Sequence, residues 1–319
     1  MIIFVILVFL LLLSLGLIYW ACYNQSNNYG AQEKSQKIEE ETCQLIEKTK
    51  LNHDTYKLKF AFPSKMNDKA IKVGQYITLH HPNEDKLNNK YFPINIIEQK
   101  GKFEILVKVW TEFEIDSQNQ SKTEQDNQNE SKNEQDNQIE KDNQNRSNFN
   151  SWIEKMIPGD SALIKIPFGS FFYFGYGRTL IIQVPLRRMA QYKRIVMIAY
   201  GQGITPMYQI IQAVANRSSD KTKLQLLYAN KTQQDILLYN ELKAFEASKK
   251  LTLHLTLDKP HASWMHSSGF VTSSMIQNAF GTIDKYTLAL VCGPPKMRQL
   301  IGQIFHELNV DSKNFYMFT

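Results

Sequence analysis

The sequence is poor in the residues that build metal centres and disulfide frameworks. Only three cysteines occur in 319 residues, at the widely separated positions Cys22, Cys43 and Cys292. No Cys/His cluster has the spacing of metal ligands, so we predict no metal site and no disulfide framework. No haem-binding or iron–sulfur segment is present either. This cysteine usage suits a reducing compartment.

A strong charge of one sign is also lacking. The net charge is only +6, and the lysines and arginines are scattered rather than arranged in a stripe with interleaved aromatics. We therefore expect no nucleic-acid partner, whereas an acidic protein or an anionic membrane surface remains compatible. The chain is 43% hydrophobic and 12% aromatic, and its length suits two domains with real cores.

The first residues form a long apolar run without a charge, from residue 2 to residue 22. A helix of about 20 apolar residues spans the hydrocarbon core of a bilayer. Tyr19 and Trp20 stand at its end, where aromatic rings favour the membrane interface. A cleaved signal peptide is the alternative, but the run is too long for one and no basic segment precedes it. We predict a transmembrane anchor over residues 1–22.

The anchor is followed by a polar linker over residues 23–41. The nearest flanking cations are Lys34 and Lys37, both after the span, which favours a cytosolic body behind a single-pass anchor. The endoplasmic reticulum and the mitochondrial outer membrane both suit this arrangement, and nothing in the sequence separates them.

The body of the chain has two parts with different rhythms. Residues 42–178 contain short alternating segments such as 55–62 and 103–110, separated by turns, which predicts an all-β domain. Residues 179–319 alternate apolar strands with amphipathic helices, which predicts a doubly wound α/β domain. The fold class is therefore α+β with two domains, preceded by a membrane helix.

An unusual segment interrupts the first domain at residues 114–148. It contains a near-repeat, SKTEQDNQNE followed by SKNEQDNQIE, and is almost devoid of apolar residues. Because such a segment has little to bury, we predict a disordered insertion in a surface loop.

A glycine-rich turn follows the first strand of the α/β domain, in YGQGITPM (200–207). Gly201 and Gly203 allow backbone N–H groups to approach a pyrophosphate at a helix start. We expect Thr205 to cap that helix and Pro206 to suit its first turn.

Several motifs together resemble the NADH–cytochrome b5 reductase branch of the ferredoxin–NADP reductase superfamily. Their order and approximate spacing match the family over residues 42–319 apart from the insertion. The motifs are GQYITL (74–79), YFPI (91–94), VKVW (107–110), IPFGSFFY (166–173), IAYGQGITPM (198–207), LLYANKTQQDILLYNEL (226–242), LDKP with Trp264 and GFV (269–271), CGPPKM (292–297) and the terminal Phe318.

The resemblance implies an FAD-dependent reductase, with an antiparallel β-barrel that binds FAD over residues 42–178 and an α/β domain that binds NAD over residues 179–319. NADH would deliver hydride to FAD, and electrons would then leave to a separate haem protein such as cytochrome b5. The alternative is a catalytically weakened reductase fold that serves as a scaffold in a membrane complex.

The resemblance also implies the roles of particular residues. Cys292 and Lys108 would lie close to the reacting nicotinamide and flavin, and Asn150 would cap a helix that faces the FAD pyrophosphate. The other implied cofactor contacts, beside the glycine turn with its Thr205 and Pro206, are Tyr91, Pro93, Ile94, Val107, Gly293, Pro294 and Phe318.

The chain departs from the family pattern at four positions. Asn89 stands where the family has an arginine that pairs with the flavin pyrophosphate, and Phe92 stands where it has a hydroxyl that bonds flavin N5. In the glycine turn, Tyr200 replaces a glycine and Gln202 replaces a threonine. These departures favour the weakened alternative.

Overall fold

The computed structural model describes residues 39–62, 71–95, 101–109, 132–183 and 186–318. Within those ranges no helix is both long and apolar enough to cross a membrane. The predicted anchor and most of the predicted linker lie outside the described residues. Residues Glu40–Thr319 form one compact unit.

The first half of this unit is built on a six-stranded sheet with the order β4-β3-β6-β1-β2-β5. It forms an antiparallel half-barrel with β4 and β5 at its edges, which is a more open form of the predicted barrel. Its strands are β1 Glu39–Lys50, β2 Thr55–Ala61, β3 Tyr76–His81, β4 Glu84–Tyr91, β5 Lys102–Lys108 and β6 Ser161–Phe168.

The alternation of β2 shows why this segment is a strand. Leu58 and Phe60 point into the core and are fully buried. The residue between them, Lys59, points outward and forms an ion pair with Glu104 of β5 at 3.1 Å. Because successive side chains of a strand point to opposite faces, β2 has one apolar face toward the core and one polar face.

The prediction of disorder for residues 114–148 is wrong for the second part of that segment. A helix, α1, runs over Lys132–Lys155 and includes residues 132–148 of that segment. Glutamate, glutamine and lysine favour helix, and the C-terminal part of α1 is docked because Phe149 and Ile153 are buried in the barrel core. Residues 114–131 lie outside the described residues.

A small antiparallel sheet joins the two halves, formed by β7 Phe171–Gly175, β8 Arg178–Gln183 and β9 Leu186–Gln191. The predicted domain boundary between residues 178 and 179 falls just inside β8. The hairpin is held to the second half by Asp220, which accepts hydrogen bonds from the Tyr173 hydroxyl at 2.8 Å and from the Tyr176 backbone N–H at 2.6 Å.

The second half is a six-stranded sheet with the order β13-β12-β11-β10-β14-β15, in which each neighbouring pair of strands is parallel. Its strands are β10 Arg194–Tyr200, β11 Lys223–Asn230, β12 Thr252–Leu257, β13 Ser267–Ser268, β14 Thr287–Cys292 and β15 Phe315–Met317. Its helices are α2 Ile204–Ala215, α3 Tyr239–Ala247, α4 Ser273–Phe280 and α5 Pro295–Glu307.

This half is doubly wound, as predicted. Alternate residues of β10 belong to two different cores, with Met197 in one and Val196 and Ile198 in the other. The chain runs from β10 to β13 in one direction and then returns to β14 on the other side of β10. Such a switch point opens a crevice at the carboxyl ends of the strands, where ligands of this fold class bind.

Candidate functional site: a crevice at the carboxyl ends of the parallel strands

The glycine turn lies where the sequence places it, directly after β10. Gly201–Gly203 form one turn of 3-10 helix, and α2 begins at Ile204. Gly201 has a φ of +51°, and a Cβ atom on Gly203 would lie 2.2 Å from the Cys292 carbonyl oxygen. Both positions therefore require glycine, one for its backbone conformation and one for close approach of the β14 loop.

The expected helix cap is wrong in detail. The N-cap of α2 is Gly203, not Thr205, and no side chain caps it. The Thr205 hydroxyl instead donates a hydrogen bond to the Gln202 carbonyl at 3.0 Å. Pro206 lies in the first turn as expected, where its missing N–H costs nothing.

The β14 loop closes the other side of the crevice. Burial raises the pKa of the Cys292 thiol to about 12, with nearby Arg298 opposing the shift, so this cysteine is a neutral thiol. Arg298 also donates to the Gly293 carbonyl at 2.8 Å and so holds the loop. Pro294 precedes α5 and lines the crevice. This environment does not activate a nucleophile. The role of Cys292 in orienting the nicotinamide stays a prediction.

Between the turn and this loop lies a cavity of about 470 Å³. It is open to both halves of the unit, because residues of β2, β5 and the α/β sheet share its wall. The lining includes Asp54, Lys108, Tyr200, Asn230, Asp258 and Pro294. Its size and position suit an extended ligand such as a dinucleotide.

Lys108 enters this cavity from the half-barrel. Its ammonium forms an ion pair with Asp54 at 2.7 Å, and the side chain is only 15% exposed. His53 lies 3.2 Å from the same carboxylate and 3.7 Å from Asp235. The ligand atoms of His53, Asp54 and Asp235 are close enough to hold a metal. Because the Lys108 ammonium is already paired with Asp54, these three residues form a network of charged and polar groups with Lys108 instead.

Tyr200, one of the four departures from the family pattern, shapes the crevice together with Asp258, a residue of the LDKP motif to which the sequence assigned no role. The Tyr200 hydroxyl donates a hydrogen bond to Asp258 at 2.7 Å. Burial raises the pKa of the Asp258 carboxyl, although the bond from Tyr200 opposes the shift. The position of Asp258, at the end of a predicted strand in LDKP, was a signal that it faces the ligand crevice.

The predicted flavin contacts on the half-barrel are core residues. Tyr91 is 2% exposed and its ring stacks on Phe149 with centroids 6.5 Å apart. Val107 belongs to the same barrel core, whereas Ile94 reaches the core of the α/β half. The Pro93 carbonyl accepts a hydrogen bond from Gln209 at 2.8 Å. Their contact with a flavin stays a prediction.

An aromatic cluster joins the halves beside these residues. The Phe92 ring packs edge-on against Phe318 and against Tyr76, with centroids 5.4 and 5.5 Å apart. Phe318 is 3% exposed and also contacts Phe171. The two predicted positions Phe92 and Phe318 are thus brought together, but as an apolar contact without a hydroxyl.

The residues expected at the FAD pyrophosphate do not fit it in the family manner. Asn150 is not a helix cap, because α1 begins at Lys132 and Asn150 lies buried inside it. Its backbone N–H group is therefore internal to a helix and faces no phosphate. Asn89 is exposed, carries no charge, and accepts a hydrogen bond from the adjacent Lys90 N–H.

Comparison with known proteins agrees with this geometry. The profile described as "Oxidoreductase FAD-binding domain" matches residues 42–173, and "Oxidoreductase NAD-binding domain" matches residues 197–303. NADH-cytochrome b5 reductase 2 of Rattus norvegicus is 31% identical over 263 residues, which cover 80% of this chain and 85% of that protein.

Two further relatives extend the comparison. NADH nitrate reductase of Petunia hybrida is 29% identical over 261 residues, 81% of this chain but 26% of that longer protein. The crystal structure of the cytochrome b5 reductase domain of Ulva prolifera nitrate reductase superposes with a TM-score of 0.70 at 26% identity. That match covers 88% of this chain and 97% of that domain.

The fold and the two matched domains define an oxidoreductase of the class that combines an FAD-binding domain with an NAD-binding domain. Within this class, the chain belongs to the cytochrome b5 reductase family. The family and the fold expected from the sequence are thereby confirmed, the latter apart from its membrane helix.

Proposed function

We propose that this protein is a membrane-anchored reductase that takes hydride from NADH by way of FAD and passes electrons to a haem protein such as cytochrome b5. The hydride and single-electron chemistry belongs to the flavin. The chain's own residues bind and orient the nicotinamide dinucleotide. NADH is favoured over NADPH because the carboxylate of Asp258, rather than an arginine pair, faces the crevice.

The crevice is the observation that supports this proposal. Gly203 lets α2 start against the Cys292 carbonyl, and Gly201 and Gln202 of the same turn line the cavity beside the start of that helix. Lys108 brings a cation from the half-barrel into the same cavity. Anionic phosphates would therefore meet backbone donors on one wall and an ammonium on another.

A second candidate is a reductase fold that has lost tight FAD binding and acts as a scaffold in a membrane complex. The half-barrel favours it, because α1 continues past Asn150 and Asn89 lacks a charge. A missing guanidinium removes a bidentate phosphate contact.

The visible spectrum of the full chain, purified in detergent, tests both candidates. We expect a flavin band after incubation with FAD, and its bleaching by NADH under anaerobic conditions. The matched variant Asn89→Arg restores the missing cation and should raise FAD occupancy. If neither protein takes up FAD while both bind NADH, the reductase proposal fails and the scaffold candidate stands.

The membrane anchor over residues 1–22 and the cytosolic body are part of this proposal. Their support is the uninterrupted apolar run in the sequence and the lysines after it. Extraction of membranes with alkaline carbonate tests the anchor. The full-length chain should stay in the pellet, and its release would contradict the proposal.

A further inference from the structure

We propose that Tyr200 acts as a latch that closes the dinucleotide crevice in the free protein and must swing out before NADH binds. In the closed state the Tyr200 hydroxyl donates a hydrogen bond to the Asp258 carboxylate. A sugar hydroxyl of the bound ligand would otherwise donate to the same oxygen atom. This inference rests on the proposed function, since it needs a dinucleotide in the crevice.

The path of the Tyr200 side chain carries the inference. Tyr200 ends β10, and Asp258 directly follows β12. Because β11 lies between these strands, a hydrogen bond from Tyr200 to Asp258 takes the side chain across the carboxyl end of β11. Two strand spacings amount to roughly 10 Å, so the ring and hydroxyl span a large part of the crevice mouth.

The other end of the same side chain is also fixed. A Cβ atom on Gly293 would lie 3.1 Å from the Tyr200 Cβ atom, so the base of Tyr200 packs on the backbone of the β14 loop. The side chain thus extends from this loop to β12. These are the same walls that a dinucleotide needs to contact, so ligand and ring compete for one space.

Asp258 is suited to exchange one hydroxyl partner for another. Its Oδ2 atom accepts the bond from Tyr200, whereas Oδ1 is buried and has no hydrogen-bond partner among the described residues. A buried carboxylate oxygen without a hydrogen-bond partner gains from a further donor. A ligand with two neighbouring sugar hydroxyls offers two donors where Tyr200 offers one.

The backbone permits clean variants at this position. Tyr200 has φ −127° and ψ 126°, an extended conformation that any residue adopts. Tyr200→Phe removes the hydroxyl but keeps the ring, and Tyr200→Ser removes the ring, both without backbone strain. The matched control is Tyr286→Phe. Tyr286 is 46% exposed and lies at the amino end of β14, away from the crevice.

The test is NADH binding to the full chain in detergent, followed by stopped-flow fluorescence and by calorimetry. A latch makes the observed rate level off with rising NADH in the unmodified protein, because opening precedes binding. In Tyr200→Phe the rate should stay proportional to NADH, and the Kd should fall about tenfold, as expected for the loss of one competing hydrogen bond to a carboxylate. Tyr286→Phe should behave as the unmodified protein.

Equal Kd values and equal rate profiles for Tyr200→Phe and the unmodified protein would overturn the latch while leaving the dinucleotide site intact. Weaker binding by both Tyr200→Phe and Tyr200→Ser would also overturn it, since Tyr200 would then be a ligand contact. If no form binds NADH, including both variants, the proposed function fails and the latch falls with it.

Discussion

The α/β crevice and the side of the half-barrel that is predicted to face the flavin differ in how much of the family pattern they retain. In the crevice, the family pattern survives in the backbone: Gly203 is required by the approach of the Cys292 carbonyl. On the half-barrel the pattern depended on side chains, and Asn89 and Phe92 replace a cation and a hydroxyl. Backbone geometry is locked by packing, whereas a ligand contact can be lost without disturbing the fold.

The largest effect is expected for a substitution of Tyr91, which distinguishes a role in core packing from a role in flavin contact. Tyr91→Ala should lower the free energy of unfolding by about 3 to 5 kcal/mol, because the buried ring stacks on Phe149. Tyr91→Phe keeps the ring and serves as the control, with a loss of about 1 kcal/mol or less. Urea denaturation measures both. A loss of bound FAD in Tyr91→Ala at unchanged stability would show that this residue is a ligand contact instead.

The next effect tests the backbone constraint in the crevice. Gly203→Ala should cost about 2 to 3 kcal/mol, because its methyl group meets the Cys292 carbonyl. Gly302→Ala is the control, since a Cβ there would meet only the end of Met317 at 3.5 Å. Its position inside α5 makes this change neutral or slightly stabilising. Equal melting temperatures for the two variants would contradict the requirement for glycine at position 203.

A third change tests how strongly Asp220 attaches the β7–β8 hairpin to the α/β half. The Asp220 carboxylate holds the β7–β8 hairpin to the α/β half. Burial acts to raise its pKa, but hydrogen bonds from Thr222, Tyr176 and Tyr173 outweigh it, so the pKa lies below its usual 3.8. Asp220→Asn should cost about 2 kcal/mol at neutral pH.

The pH dependence of that change has a definite sign. A depressed carboxyl pKa contributes stability above its ordinary value of 3.8, and this contribution is lost as the pH falls through the lower folded-state pKa. The stability gap between Asp220→Asn and the unmodified protein should therefore narrow in acid. Denaturant titration at several pH values measures the difference in free energy of unfolding between the two proteins. If that difference is the same at pH 7 and at pH 3, the charge of Asp220 is not what stabilises the hairpin.

The smallest effect concerns the upstream part of α1. Lys141→Pro should reduce helical circular dichroism but change the free energy of unfolding by less than about 1 kcal/mol, since Lys141 is exposed and the docked residues begin near Phe149. Glu154→Pro, in the docked part, should cost about 3 kcal/mol or more. Similar losses for both would mean that the upstream turns pack as well.

Much of the fold follows from local pattern. The alternation in β2 and the apolar run of β10 predicted these strands, because hydrophobic period and buried sheet faces are properties of adjacent residues. Helix α4 and the small β7–β9 sheet were not predicted. The upstream part of α1 was misjudged, because its polar residues favour helix without offering an apolar face.

The sequence by itself determined the class of this protein, the glycine turn and most of the order of strands and helices, since these depend on residue types at fixed local spacing. Only the tertiary structure decided that Asn150 lies inside a helix, that Gly203 rather than Thr205 caps α2, and that Tyr200 reaches Asp258 across β11. Those facts depend on which distant segments meet, with 58 residues separating Tyr200 from Asp258. Contacts of that range arise from packing of the whole sheet, and no local pattern encodes them.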